Sequence, residues 1–290
     1  MSGGFRSRSR SGDHLPVRSE KKQSTNRSRQ PKRSSQSDPR WKPLRGIDLP
    51  RSVAFWVIQR VEIDAAYANL TLPKVLKQSK LSGRDAAFAT ELTYGTLRTQ
   101  GVLDTVIAEC SSRELEALKP EVRAALRLGA YQLLYTRVGA HAAVDTTVRI
   151  MEAIGQDRAK GFVNGVLRTI SRTSPQSWIE KLTPSGEVES IAFQHAHPAW
   201  IARSFSQIVG MNELEAALSA DSERPKVHLV ARPGEMSAED LALIVGGDEG
   251  KYSPYAVYLE SGDPGALEPV REGLAAVQDE GSQLIARAVT

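Results

Sequence analysis

Between residues 48 and 172 the apolar positions recur at spacings of three and four, the period of an amphipathic helix. Pro50 suits a first helical position, and Val53, Phe55, Trp56, Val57 and Val61 follow it. Pro73 is expected to open a short second helix carrying Val75 and Leu76. Ser82, with Asp85 three residues on, reads as a capping-box variant that starts a helix with Phe88, Leu92 and Gly95 on one face. Pro120 opens another, with Val122, Leu126, Gly129 and Leu133 in line. Val144, Val148, Met151 and Gly155 mark a further helix, and Phe162, Val163, Val166, Leu167 and Ile170 mark a last one. No alternating run interrupts them. Six or seven helices in one all-α bundle are therefore predicted.

A polar linker over 171–177 follows, and helical patterning resumes at 178–182, 198–209 and 213–220. Then the period falls to two. Val227, Leu229 and Ala231 alternate with His228, Val230 and Arg232, which predicts a strand. A helix is expected over 238–245, further strands at 255–259 and 274–277, and another helix from 281 to 289. Gly246-Gly247 follows a helix rather than a strand, so it reads as a cap and turn, not a phosphate loop. The fold class is thus mainly α: a helical bundle at 48–172, then a small α+β unit at 178–277.

Charge changes the picture at the N-terminus. The 290-residue chain has a net charge of +4, but residues 1–45 hold 13 Lys/Arg against three acids, while the rest holds 25 bases against 31 acids. The first 45 residues also contain ten serines and few large apolar groups. Residues 1–47 are expected to be a disordered basic tail, since such a composition cannot offset its chain entropy. As an electrostatic arm it would contact nucleic-acid phosphates; as a bland extension it would only solubilise. The remaining composition, 40% hydrophobic and 25% charged, is that of a soluble domain protein, and no run reaches the length of a membrane span. A single cysteine, Cys110, excludes an internal disulfide and a multi-cysteine zinc site, and a cytoplasmic location is expected.

Few residues carry candidate chemistry. There is no G-x-x-x-x-G-K-[ST] loop, no G-x-G-x-x-G fingerprint and no G-x-S-x-G elbow. His195 and His197 lack companions for a metal site. His141 and Asp145, four apart, read as a structural hydrogen bond rather than a base and its orienter. Cys110 sits at a helix C-terminus, where the dipole disfavours a thiolate. Asn164 and Arg168 share a face of the last helix. Gly165 between them costs about 1 kcal/mol in a helix, which predicts close packing or backbone approach there.

Two segments resemble known families. The stretch Leu128-Gly129-Ala130-Tyr131-Gln132-Leu133-Leu134, with His141-Ala142-Ala143-Val144-Asp145 and Gly161-Phe162-Val163-Asn164-Gly165-Val166-Leu167-Arg168, resembles a NusB-like all-α RNA-binding domain. The stretch Val277-Gln278-Asp279-Glu280-Gly281-Ser282-Gln283-Leu284, with Asn69, Ser82-Gly83-Arg84-Asp85 and residues 228–234, resembles the Sun/Fmu family of bacterial 16S rRNA (cytosine-C5) methyltransferases, the RsmB-like proteins. The resemblance runs from about residue 48 to the last residue. It implies a NusB-like domain, a small N-terminal subdomain of the methyltransferase, and a Rossmann-like core that binds S-adenosylmethionine. Residues 278–290 would then be the first helix of that core. The Gly-rich cofactor loop and the family's two catalytic cysteines have no matching positions, so the core is expected to be missing, the chain inactive alone, and its catalytic and cofactor residues none. The partners implied are RNA, 16S rRNA first, and a separate methyltransferase-core chain; no metal and no membrane are expected. A stand-alone RNA-binding or antitermination module and a non-functional remnant remain as alternatives. The candidate RNA contacts are Arg84, Arg98, Arg127, Arg168 and Arg172.

Overall fold

The three-and-four apolar spacing folds into seven helices: α1 Leu49–Asp64, α2 Ala68–Ser79, α3 Gly83–Arg98, α4 Gln100–Cys110, α5 Pro120–Tyr135, α6 Ala140–Ala153 and α7 Lys160–Ser171. The structure is a computed structural model that describes residues 40–289 apart from 224 and 261. Helix α5 is the central element, buried along most of its length, with α1, α3, α4, α6 and α7 packed around it. Two glycines permit this. A Cβ on Gly95 would collide with the Tyr131 ring, and one on Gly129 would lie 2.7 Å from Leu167 Cδ1 and 2.9 Å from Thr147 Oγ1. Gly165 is different: nothing lies within 4 Å of the Cβ it lacks, so the expected close packing is absent.

Local signals were partly overridden. Helix α2 begins at Ala68, and Pro73 lies inside it rather than at its start. At the sixth helical position it gives up the bond its N–H would make to the Asn69 carbonyl, a loss offset by burial of the neighbouring Leu72 and Val75. Ser82 is the N-cap of α3, but its side chain caps nothing, so the capping box does not form.

Residues 1–39 lie outside the described residues, and with them most of the expected disordered tail. Its last part is ordered, contrary to expectation. Trp41 is buried with Val53, Trp56, Leu72 and Val75, and Ile47 is buried in the main bundle core. Leu44 N–H donates to Ser52 Oγ at 3.3 Å, and Arg149 Nη2 donates to the Gly46 carbonyl at 2.6 Å. Two large apolar residues suffice to strap residues 40–47 across the bundle.

Helices α8 Pro175–Leu182, α9 Glu187–Gln194, α10 Ala199–Val209 and α11 Met211–Ser222 follow. Trp178, placed by its sequence in the second unit, is buried in the core of the first and donates from Nε1 to the Ile170 carbonyl at 3.0 Å. Helix α9 had no clear sequence signal, yet with α10 and α11 it encloses a separate small core of Ala192, Ala202, Leu214 and Leu218.

The alternating segment becomes β1 Val227–Ala231, followed by α12 Ala238–Val245, β2 Asp248–Glu249, β3 Ala256–Leu259, α13 Glu268–Glu272, β4 Ala275–Val277 and α14 Glu280–Val289. The sheet order is β2-β3-β1-β4, antiparallel throughout, with Leu229 opposite both Val257 and Val277. This is a β-α-β-β-α-β unit. The two-residue β2 was missed because Asp248 and Glu249 are polar and lie at an exposed edge. Gly246 caps α12 in the left-handed region at φ 67°, as the cap reading expected.

Polar groups fasten α14 to this sheet. The buried Glu280 carboxylate accepts from the backbone N–H groups of Tyr252 and Ser253, each at 2.7 Å, and from the Tyr258 hydroxyl at 2.5 Å. Gln283 accepts from Ser253 Oγ at 2.8 Å and donates to the Leu229 and Gln278 carbonyls. Burial opposes charge on Glu280, but these donors outweigh it and hold its carboxyl below the usual range. The residues that carried the second resemblance therefore act here as a latch.

Candidate nucleic-acid interface

Helices α6 and α7 enclose a polar groove of about 430 Å³ lined by His141, Asp145, Asn164, Arg168, Ser171 and Arg172. The core stripe of α7, Val163, Val166, Leu167 and Ile170, is buried and turns Asn164, Arg168 and Arg172 outward. Arg168 Nε donates to Asn164 Oδ1 at 3.1 Å, which orients the guanidinium along the groove. Asp145 leans away, 3.8 Å from Arg149, instead of pairing with His141. Among the described residues Arg168 and Arg172 have no carboxylate within ion-pair reach. Gly139 supplies no side-chain cap to the first N–H groups of α6, and Ala140 at that helix end lines the groove. Two planar guanidinium groups, an amide and a helix N-terminus form an anion-binding set suited to phosphate.

The other three candidate arginines are elsewhere. Arg127 is withdrawn from the surface, with a side chain 7% exposed. It grips Asp104 with two bonds of 2.7 and 2.9 Å and Glu62 with one of 2.6 Å. Arg123 bonds the other Glu62 oxygen and the Leu115 and Leu118 carbonyls. Burial opposes charge on Glu62, yet the two arginines hold its carboxyl below the ordinary range. Arg127 is a structural ion-network residue and cannot meet RNA. Arg84 and Arg98 lie at opposite ends of α3, about 21 Å apart at 1.5 Å per residue. Arg98 lines the junction between the bundle and the α9–α10 turn, near Tyr135 and His197.

Among the described residues no three His, Cys, Asp or Glu side chains gather for a metal. His197 is bonded to Asp221 at 2.9 Å and to the His195 carbonyl at 2.8 Å. Burial and the Glu109 carboxylate push the Cys110 thiol up, away from a reactive thiolate. The four strands of the described sheet are antiparallel, an arrangement different from the parallel sheets whose carboxyl ends usually seat a nucleotide cofactor. Among the described residues no helix is long and apolar enough to cross a membrane.

The NusB family matches residues 48–172, the span of α1 to α7. "Putative methyltransferase Rv1407" of Mycobacterium tuberculosis is 54% identical over 258 residues, 87% of this chain and 56% of that protein. Ribosomal RNA small subunit methyltransferase B of Pseudomonas putida is 32% identical over 243 residues, 82% of this chain and 54% of that one. The chain thus spans about half the length of these relatives. The crystal structure of PH0851 shares the fold, with a TM-score of 0.63 at 16% identity over 82% of this chain and 55% of that chain. Residues 48–172 are a NusB-family domain, and the chain is a relative of the ribosomal RNA small subunit methyltransferase B proteins, as expected of the Sun/Fmu family.

Proposed function

We propose that this chain is the RNA-binding part of an rRNA (cytosine-C5) methyltransferase, and that it holds 16S rRNA through the α6–α7 groove. The observation that carries this reading is the pair Arg168 and Arg172, unneutralised and aligned beside an uncapped helix N-terminus in a NusB-family domain. Such contacts position an RNA rather than read its bases. Catalysis would then belong to a methyltransferase core that supplies S-adenosylmethionine and the cysteine nucleophile, on this polypeptide or another. The basic residues 1–39 would add affinity that falls with salt.

The test is filter binding of a 16S rRNA fragment across a salt series. Replacing Arg168 and Arg172 with Ala should lower the log–log salt slope by about 1.5, since each phosphate contact contributes roughly 0.7 to 0.9. Removing residues 1–39 should lower it by several units. An unchanged slope in the arginine variant overturns the groove as the RNA site.

A further inference from the structure

A second positive surface lies on and just after α2. Residues 65–84 contain four bases, Lys74, Lys77, Lys80 and Arg84, and no acid, in a chain whose residues after 45 carry more acids than bases. All four are exposed, and none has a carboxylate within ion-pair reach among the described residues. Other cations on the surface are matched, Lys160, Lys181, Arg203, Lys226 and Arg232 each sitting against a Glu. The C-terminal dipole of α2 accounts for Lys77 and Lys80, but its reach is about one turn and does not extend to Lys74. Lys80 is the C-cap of α2 and holds the left-handed conformation at φ 57°, which a residue other than glycine adopts at a cost. At the other end of α2, the N-cap Tyr67 exposes 74% of its surface.

The strap over residues 40–47 has contacts with α2 at one end and with α6 at the other. Its Trp41 lies in the cluster that receives Leu72 and Val75 from α2, and its Gly46 is held by Arg149 of α6, one turn beyond Asp145. Between those anchors Lys42 and Arg45 are exposed, again without a carboxylate partner among the described residues. The acids beside the strap are already matched: Asp48 by Arg51, Asp64 by Arg40 and Arg60, Asp145 by Arg149.

We propose that α2 and the strap form one phosphate-binding track, Lys74, Lys77 and Lys80 leading through Lys42 and Arg45 to the α6–α7 groove, and that a single RNA strand runs along it. This rests on the RNA-binding reading above. Lysines offer point charges rather than planar forks, so this track grips backbone without regard to sequence. The Tyr67 ring gives one base a stacking face.

The test uses the full chain with two probes, oligouridylate of about 20 nucleotides and a 16S rRNA fragment. The variant Lys74→Gln/Lys77→Gln/Lys80→Gln should lose about two units of salt slope on both probes, and Lys42→Gln/Arg45→Gln about 1.4, at roughly 0.7 per contact for a single strand. All five side chains are exposed, and an unchanged melting temperature confirms an intact fold. Tyr67→Ala should weaken oligouridylate binding about tenfold with its slope kept, as loss of a stacked base does. Unchanged slopes in both lysine variants, alongside a reduced slope for Arg168→Ala/Arg172→Ala, overturn the track and leave the groove reading standing. A wild-type chain that binds neither probe overturns both.

Discussion

Two arginine pairs, each spaced by four on a helix of the same bundle, have opposite fates. Arg123 and Arg127 on α5 face Glu62 of α1 and Asp104 of α4 and are neutralised there. Arg168 and Arg172 on α7 face a groove whose one carboxylate, Asp145, leans toward Arg149. The spacing is equivalent; what differs is what the neighbouring helices bring. A half-buried guanidinium survives only where partners offset its desolvation, whereas one at the rim keeps its charge available for a ligand. The first pair joins three helices, and the second is left to act.

The difference can be broken from the structural side first. Arg127→Ala leaves Glu62 and Asp104 facing each other with their shared partner gone, and should cost about 3 kcal/mol in urea unfolding. Because the Glu62 carboxyl is held below its ordinary value, its contribution is complete above the unfolded value and disappears as pH falls through the folded one. The wild type should therefore lose stability on acidification below about pH 4.5, and Arg127→Ala should lose less over the same range, as paired urea titrations would show.

The glycines sharpen the same division between packed and open helix faces. Gly129→Ala must displace Leu167 and Thr147 and should cost about 1 to 3 kcal/mol, read as a lower melting temperature. Gly165→Ala adds a methyl into open space on a helix and should stabilise by about 0.5 to 1 kcal/mol. Smallest of all, Arg168→Ala/Arg172→Ala should change stability by no more than about 0.5 kcal/mol while changing the RNA salt slope. A large stability loss in that variant would make the second arginine pair structural like the first.

Much of the bundle was legible because helical periodicity and core formation are the same physical demand. Phe55, Leu92, Leu126, Met151 and Ile170 stand on stripes in the sequence and are buried in one cluster. The strand at β1 was legible for the parallel reason, with Leu229 and Ala231 buried on one face. Boundaries and caps were less legible, since Pro73, Ser82 and Gly165 carry local preferences that the packed bundle did not need. The junction was misread at Trp178, whose indole finds its apolar pocket and its carbonyl acceptor only in the folded bundle.

For the candidate site, the residues of α7 could be singled out from a shared face, but their separation from Arg127 could not. Neither could the latch role of Glu280 and Gln283, whose partners Ser253, Tyr258 and Leu229 lie 22 to 54 residues away. Residue order establishes which side chains share a helix face, where apolar stripes run and how charge is distributed along the chain. Which charges are cancelled depends on long-range neighbours, because a carboxylate 65 residues from Arg127 in sequence comes to 2.6 Å only when α1 packs against α5. The sequence therefore defined the bundle, the α+β unit and a basic character; the packed helices alone decided which arginines remained free to meet a phosphate.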